Sequence, residues 1–89
     1  MSKISNEKKE KIMSNIMAII FENFPKQLFT AEISRIEARD EEFIKHLLFE
    51  LKEKGLVVPT RKNPEGEVFS RRIKWRLSNK AYKAYKTHQ

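Results

Sequence analysis

The sequence predicts one α+β domain over residues 1–89, helical as far as Gly55, then a two-stranded β-hairpin and a short last helix. Three observations carry this expectation. Apolar residues recur every three or four positions up to Gly55, and from Leu56 onward they alternate with polar ones. Between the two alternating runs stands NPEG, with Pro64 at the second turn position and Gly66 where a left-handed residue follows a type I turn. A chain of 89 residues buries only about 60 to 65% of its unfolded surface, too little to divide between two cores.

Each element follows from its own signals. Ile12, Ile16, Ile19, Ile20 and Phe24 form a helical stripe, with Ser5 or Asn6 as cap and Pro25 closing the run, so a first helix is expected at about 5–24. Met13, Met17 and Phe21 fall beside the stripe and widen the apolar arc beyond what one core-facing side needs. Two covers fit that extra face: the C-terminal segment of the same chain, or a second subunit. Thr30 is expected to cap a brief helix at about 31–36 that turns Ile33 and Ile36 inward. Asp40 caps a longer helix at about 41–54, with Ile44, Leu47, Leu48 and Leu51 facing in and Gly55 ending it. The short connection between these two helices is that of a helix-turn-helix pair. The hairpin occupies about 56–77, and Pro59, which has no N–H to donate, assigns its strand to a sheet edge. Ser78 or Asn79 caps a last helix at about 79–87, whose Ala81, Tyr82, Ala84 and Tyr85 can pack back on the core.

Nineteen Lys plus Arg against twelve Asp plus Glu leave a net charge of +7, which favours polyanionic partners. Zero cysteines exclude a disulfide framework and thiolate chemistry. The two glycines stand in no phosphate-binding loop, and Glu42 with His46 at i,i+4 supplies two ligands where a metal site needs more. Asp40, Glu41 and Glu42 crowd a helix start, where capping explains them better than acid–base chemistry. No enzymatic activity, cofactor, metal or small-molecule ligand is therefore expected. No apolar run approaches the roughly 18 residues of a membrane span, and the start MSKISNEKKEK lacks the apolar stretch of a signal peptide, so a cytoplasmic protein without a membrane partner is expected.

The segment HLLFELKEKGLVV, in which leucines three apart precede a charged pair, a glycine and an alternating run, resembles the end of the recognition helix and the first wing strand of the winged helix-turn-helix family. The closing RIKWRLSNKAYKAY is similar to the way small regulators of that family return from the wing into a final helix, and the resemblance extends over nearly the whole chain. It implies that the helix at 41–54 lies in a DNA major groove while the hairpin reaches the backbone or the neighbouring minor groove. Carried over by position, the outward face of that helix offers Glu41, Glu42, Lys45, His46, Phe49 and Lys52, and Arg35 and Arg39 can hold the backbone beside it. Two carboxylates at the groove end depart from the common pattern. They suit the helix dipole, and a glutamate can also accept from cytosine N4. Phe49, opposite Ile44, Leu48 and Leu51, is expected to meet a thymine methyl, a partner protein or a second subunit.

In VFSRRIKWRL, Phe69, Ile73, Trp75 and Leu77 make one strand face apolar, whereas Arg72, Lys74 and Arg76 make the other cationic; Arg71 breaks the apolar row. Arg61 and Lys62 on the facing strand, and Lys80, Lys83 and Lys86 at i,i+3 spacing beyond, extend this into a basic sector. Acidic residues are absent from Phe69 to Gln89, unlike a merely solvated face, which mixes signs. The expected function is sequence-specific binding of double-stranded DNA by a homodimeric transcriptional regulator. Its contacts would be Arg35, Arg39, Lys45, His46, Arg61, Lys62, Arg71, Arg72, Lys74 and Arg76, and its dimer or partner surface Met13, Met17, Phe21 and Phe49. The alternatives are a winged-helix protein-docking module, for which the acidic and aromatic helix face speaks, and RNA binding through the same cations.

Overall fold

The computed structural model describes residues 6–61 and 73–87, in the order α1 (Asn6–Asn23), β1 (Leu28–Phe29), α2 (Thr30–Glu37), α3 (Glu41–Glu53), β2 (Val57–Arg61), β3 (Ile73–Leu77) and α4 (Asn79–Thr87). The expected turn at Asn63–Gly66, the side chain of Arg61, and Lys62, Phe69, Arg71 and Arg72 lie outside the described residues. The described strands form one antiparallel sheet in the order β1-β3-β2. Pro59 does stand on an edge strand, opposite Trp75 of the central one. β1 is an addition to the two-stranded hairpin expected from the sequence: Leu28 and Phe29 pair with Trp75 and Lys74, and two residues are too few to show a period.

One core joins helices and sheet. Ile12, Ile16 and Ile20 of α1, Ile33 of α2, Ile44, Leu47, Leu48 and Leu51 of α3, and Ile73, Trp75 and Leu77 of β3 are all buried in it. Trp75 is fully enclosed, and its indole Nε1 donates to the Thr30 hydroxyl at 2.8 Å. Thr30 therefore does not cap α2, as its position suggested. An indole N–H sealed in an apolar core needs an acceptor, and Thr30 supplies it. The start of α2 is instead held by Glu32, whose carboxylate accepts from the Phe29 N–H at 2.9 Å. Ile36, expected beside Ile33, is 56% exposed, because α2 ends within one turn of it and only Thr30, Ile33 and Ser34 reach the interior.

The face of α1 carrying Met13, Met17 and Phe21 is covered within the chain, the first of the two covers considered. Met13 and Met17 are core residues at 6% and 7% exposure, and the Phe21 ring lies 5.5 Å from both Tyr82 and Tyr85 of α4. These three residues are thus not a free dimer surface. Such ring pairs add about 0.5 to 1.5 kcal/mol beyond the area that they bury, and burial pushes the Tyr85 phenol above its ordinary pKa. Phe24 stacks on Tyr82 at 4.5 Å yet stays 54% exposed.

The ends of the helix-turn-helix pair are tightly specified. Ala38 adopts φ 59 while the N–H groups of Ala38 and Arg39 donate to the carbonyls of Arg35 and Ser34, a Schellman closure without its usual glycine. Asp40 then caps α3, its carboxylate accepting from the Phe43 N–H at 3.1 Å. At the other end Gly55 takes φ +75, and the N–H groups of Gly55 and Leu56 donate to Lys52 and Leu51. Ser78 caps α4 by accepting from the Ala81 N–H at 3.2 Å. No helix among the described residues is long and apolar enough to cross a membrane.

Candidate nucleic-acid interface

The candidate residues divide between two places. The first is the helix-turn-helix unit. Its caps fix both ends of α3, and burial of Ile44, Leu47, Leu48 and Leu51 leaves Glu41, Glu42, His46, Phe49, Lys52 and Glu53 on the exposed side. Arg35 and Arg39 are exposed at the end of α2 and in the turn. Lys45 is half-buried, and its ammonium lies 3.2 Å from the Glu42 carboxylate. α3 therefore answers its own cation internally, and it carries four glutamates against two lysines. Exposed pairs of this kind add under about 1 kcal/mol to stability, but they lower the positive potential that a phosphate would meet. Another such pair, Lys9 to Glu50 at 2.7 Å, ties α1 to α3. Phe49 is less free than its position suggested: it meets the Trp75 ring edge-on at 5.5 Å and is 37% exposed.

The second place is the sheet. Alternation along β3 holds as read from the sequence, with Ile73, Trp75 and Leu77 inward, Lys74 exposed and Arg76 half-buried on the other side. The inward side is the one that packs on α3, since Trp75 touches Phe49 there. Lys74 and Arg76 consequently point away from α3, so the described part of the basic sector does not converge with that helix. One residue that sequence reasoning passed over shares this outer face: Phe29 pairs with Lys74 in register and carries the Lys74 ammonium 5.1 Å from its ring centre. Periodicity carries no signal for it, because its placement depends on the short β1 strand joining β3. Lys26 and Arg76 border a depression at the end of the sheet that Ile20, Phe21, Leu77 and Tyr82 also line.

The lysines of α4 are exposed but stand elsewhere again. Lys80 lies over the end of α3, where a β-carbon at Gly55 would be 3.9 Å from its ammonium. A cation there complements the negative end of the α3 dipole. The basic stretch that reads as continuous in sequence is thus distributed over the sheet's outer face, the foot of α3 and the exposed side of α4. No group of three or more metal-ligating side chains occurs among the described residues.

The sequence matches no protein-family model and no curated protein. Solved structures do match. The chain superposes on a mutant of MepR from a multidrug-resistant S. aureus clinical isolate with a TM-score of 0.71 at 16% identity, over 86% of this chain and 53% of that one. It superposes on a single-site mutant of Lactococcus lactis ZitR with a TM-score of 0.69 at 20% identity, over 99% and 56% of the two chains. A double mutant of ZitR in its apo form gives 0.63 at 23%, over 89% and 57%. The chain spans about half the length of these proteins. It shares their fold, the winged helix-turn-helix, here an α+β arrangement of four described helices and a three-stranded antiparallel sheet.

Proposed function

We propose that this chain binds double-stranded DNA as a sequence-specific transcriptional regulator, with α3 presented to the major groove. The observation that supports it best is the fixed mounting of α3: Asp40 caps one end, Gly55 closes the other, and the fully buried Trp75 meets Phe49 on its flank. A helix held this way in the winged-helix frame, shared with the regulators MepR and ZitR, can place a few side chains on base edges with fixed register. In this reading His46 reaches base edges, Glu42 accepts from a cytosine amine, and Lys45 joins the contact after exchanging its carboxylate for phosphate. Arg35 and Arg39 hold the flanking backbone. Arg61, Lys62, Arg71 and Arg72 serve the wing, on the backbone or in the minor groove. Lys74 and Arg76, turned from α3, are not part of this contact.

Pairing of two copies belongs to the same proposal. With Met13 and Met17 inside the core, the large apolar groups left for it among the described residues are Phe24, Ile36 and Phe49, each more than a third exposed. Selection from a random duplex pool followed by sequencing tests the whole reading. One enriched motif, repeated at a centre-to-centre spacing of about one helical turn, is the expected result. An unenriched pool at physiological salt would reject it in favour of protein docking or shape-dependent RNA binding.

A further inference from the structure

We infer that the outer face of the sheet is a second, sequence-independent surface for duplex DNA, so that a chain seated on DNA through α3 can hold another DNA segment at the same time. This rests on the DNA-binding reading above and extends it to a bridging activity. The geometry begins with β3. Because side chains alternate along a strand, the residues that bury Trp75 against Phe49 of α3 force Lys74 and Arg76 to the opposite side. A duplex touching α3 lies on the side from which these two cations turn away.

What surrounds them is cationic or neutral. The register sets Phe29 and Thr60 beside Lys74, and Val58 beside Arg76, none of which carries a carboxylate. Lys26 adds a third cation next to Arg76, at the end of the sheet, where the two border a depression with Phe21, Phe24, Leu77 and Tyr82. Among the described residues, the carboxylate paired with this group is Glu32, 3.8 Å from the Lys26 ammonium and already accepting from the Phe29 N–H. Arg76 commits one guanidinium donor to the Leu77 carbonyl, at 3.1 Å, and a guanidinium has five. The Lys74 ammonium rests on an aromatic ring, which holds it in place without neutralising it.

Shape and charge together select the ligand. A pleated surface presented by strands can meet phosphates but cannot enter a groove to reach base edges as a helix does, hence the absence of sequence preference. A single strand would require open aromatic platforms, whereas Phe29 is half-buried beneath Lys74. For a chain already bound to DNA, more duplex is the polyanion at highest local concentration.

The test uses the full chain, a bead-tethered duplex bearing the selected sequence, and a labelled soluble duplex of random sequence. Wild-type protein should carry the soluble duplex onto the beads. The triple variant Lys26→Gln, Lys74→Gln, Arg76→Gln should hold the tethered duplex within about threefold of wild type and lose capture of the second by about tenfold or more, its salt slope falling by about 0.9 for each phosphate left without a cation. The single variant Lys74→Gln, a change at an exposed position, should show a smaller loss of the same kind. Full capture by the triple variant would overturn the inference, since bridging would then come from paired α3 helices. So would wild type that binds the tethered duplex and captures nothing, or that captures single-stranded RNA in preference to duplex. Failure to bind the tethered duplex at all would instead overturn the DNA-binding reading itself.

Discussion

The helix-turn-helix unit and the sheet treat their cations in opposite ways. On α3, Lys45 is paired with Glu42, and glutamates outnumber lysines; on the outer sheet face, Lys74 rests on a phenylalanine ring and Arg76 on a backbone carbonyl. The two regions therefore express the molecule's net charge of +7 unequally. In the proposed reading, specificity, which needs mixed donors and acceptors, belongs with the helix, and phosphate attraction belongs with the sheet. Trp75 and Thr30 connect the two regions, because their hydrogen bond runs from the central strand to the first residue of α2.

Removing that connection should have the largest effect. Trp75→Ala empties a fully buried site, and a loss of about 3 to 5 kcal/mol is expected in urea unfolding, enough to abolish folding of a small domain. Thr30→Val keeps the shape but deprives the indole N–H of its acceptor, for an expected loss of about 1 to 3 kcal/mol. An unchanged midpoint would mean that the bond contributes nothing. Ala38→Gly should act in the other direction. An L-residue in the left-handed region costs about 1 to 2 kcal/mol relative to the right-handed one, and the glycine's greater freedom in the unfolded chain offsets part of that, so the expected gain is about 1 kcal/mol at the midpoint of the same unfolding curve.

Two smaller effects sharpen the contrast between the regions. Glu42→Gln frees Lys45 and removes a like charge near phosphate, so affinity for duplex of random sequence should rise about fivefold, equivalent to about 1 kcal/mol. A titration series in salt should show the slope steepening by up to about 0.9 as Lys45 becomes free to meet phosphate. Lys74→Ala, one position from the most sensitive residue, should change stability by less than about 0.5 kcal/mol. A larger loss in thermal unfolding would mean that the Lys74 to Phe29 contact is structural and would remove one cation from the proposed second surface.

Much of the frame was legible because it depends on neighbours in sequence. The stripe Ile44, Leu47, Leu48, Leu51 between Asp40 and Gly55 specifies α3 and both its ends, since capping and the left-handed stop are local interactions. Alternation in IKWRL likewise sorts β3 into an apolar and a basic face. The candidate site was legible only in part. Lys45 could be assigned to the exposed side of its helix, but its partner Glu42 lies one turn away and could have faced either DNA or the lysine. Ile36 looked apolar enough for the core, and its helix ends before the core reaches it.

The order of the four helices and of β2 and β3, the boundaries of α3 and the two chemistries of β3 follow from the sequence, because periodicity and caps act over a few residues. The existence of β1, the side of the sheet that meets α3, the cover of Phe21 by α4 and the service of Thr30 to Trp75 across 45 positions of chain come from the folded arrangement. Those outcomes depend on contacts between distant segments, for which a local pattern carries no register.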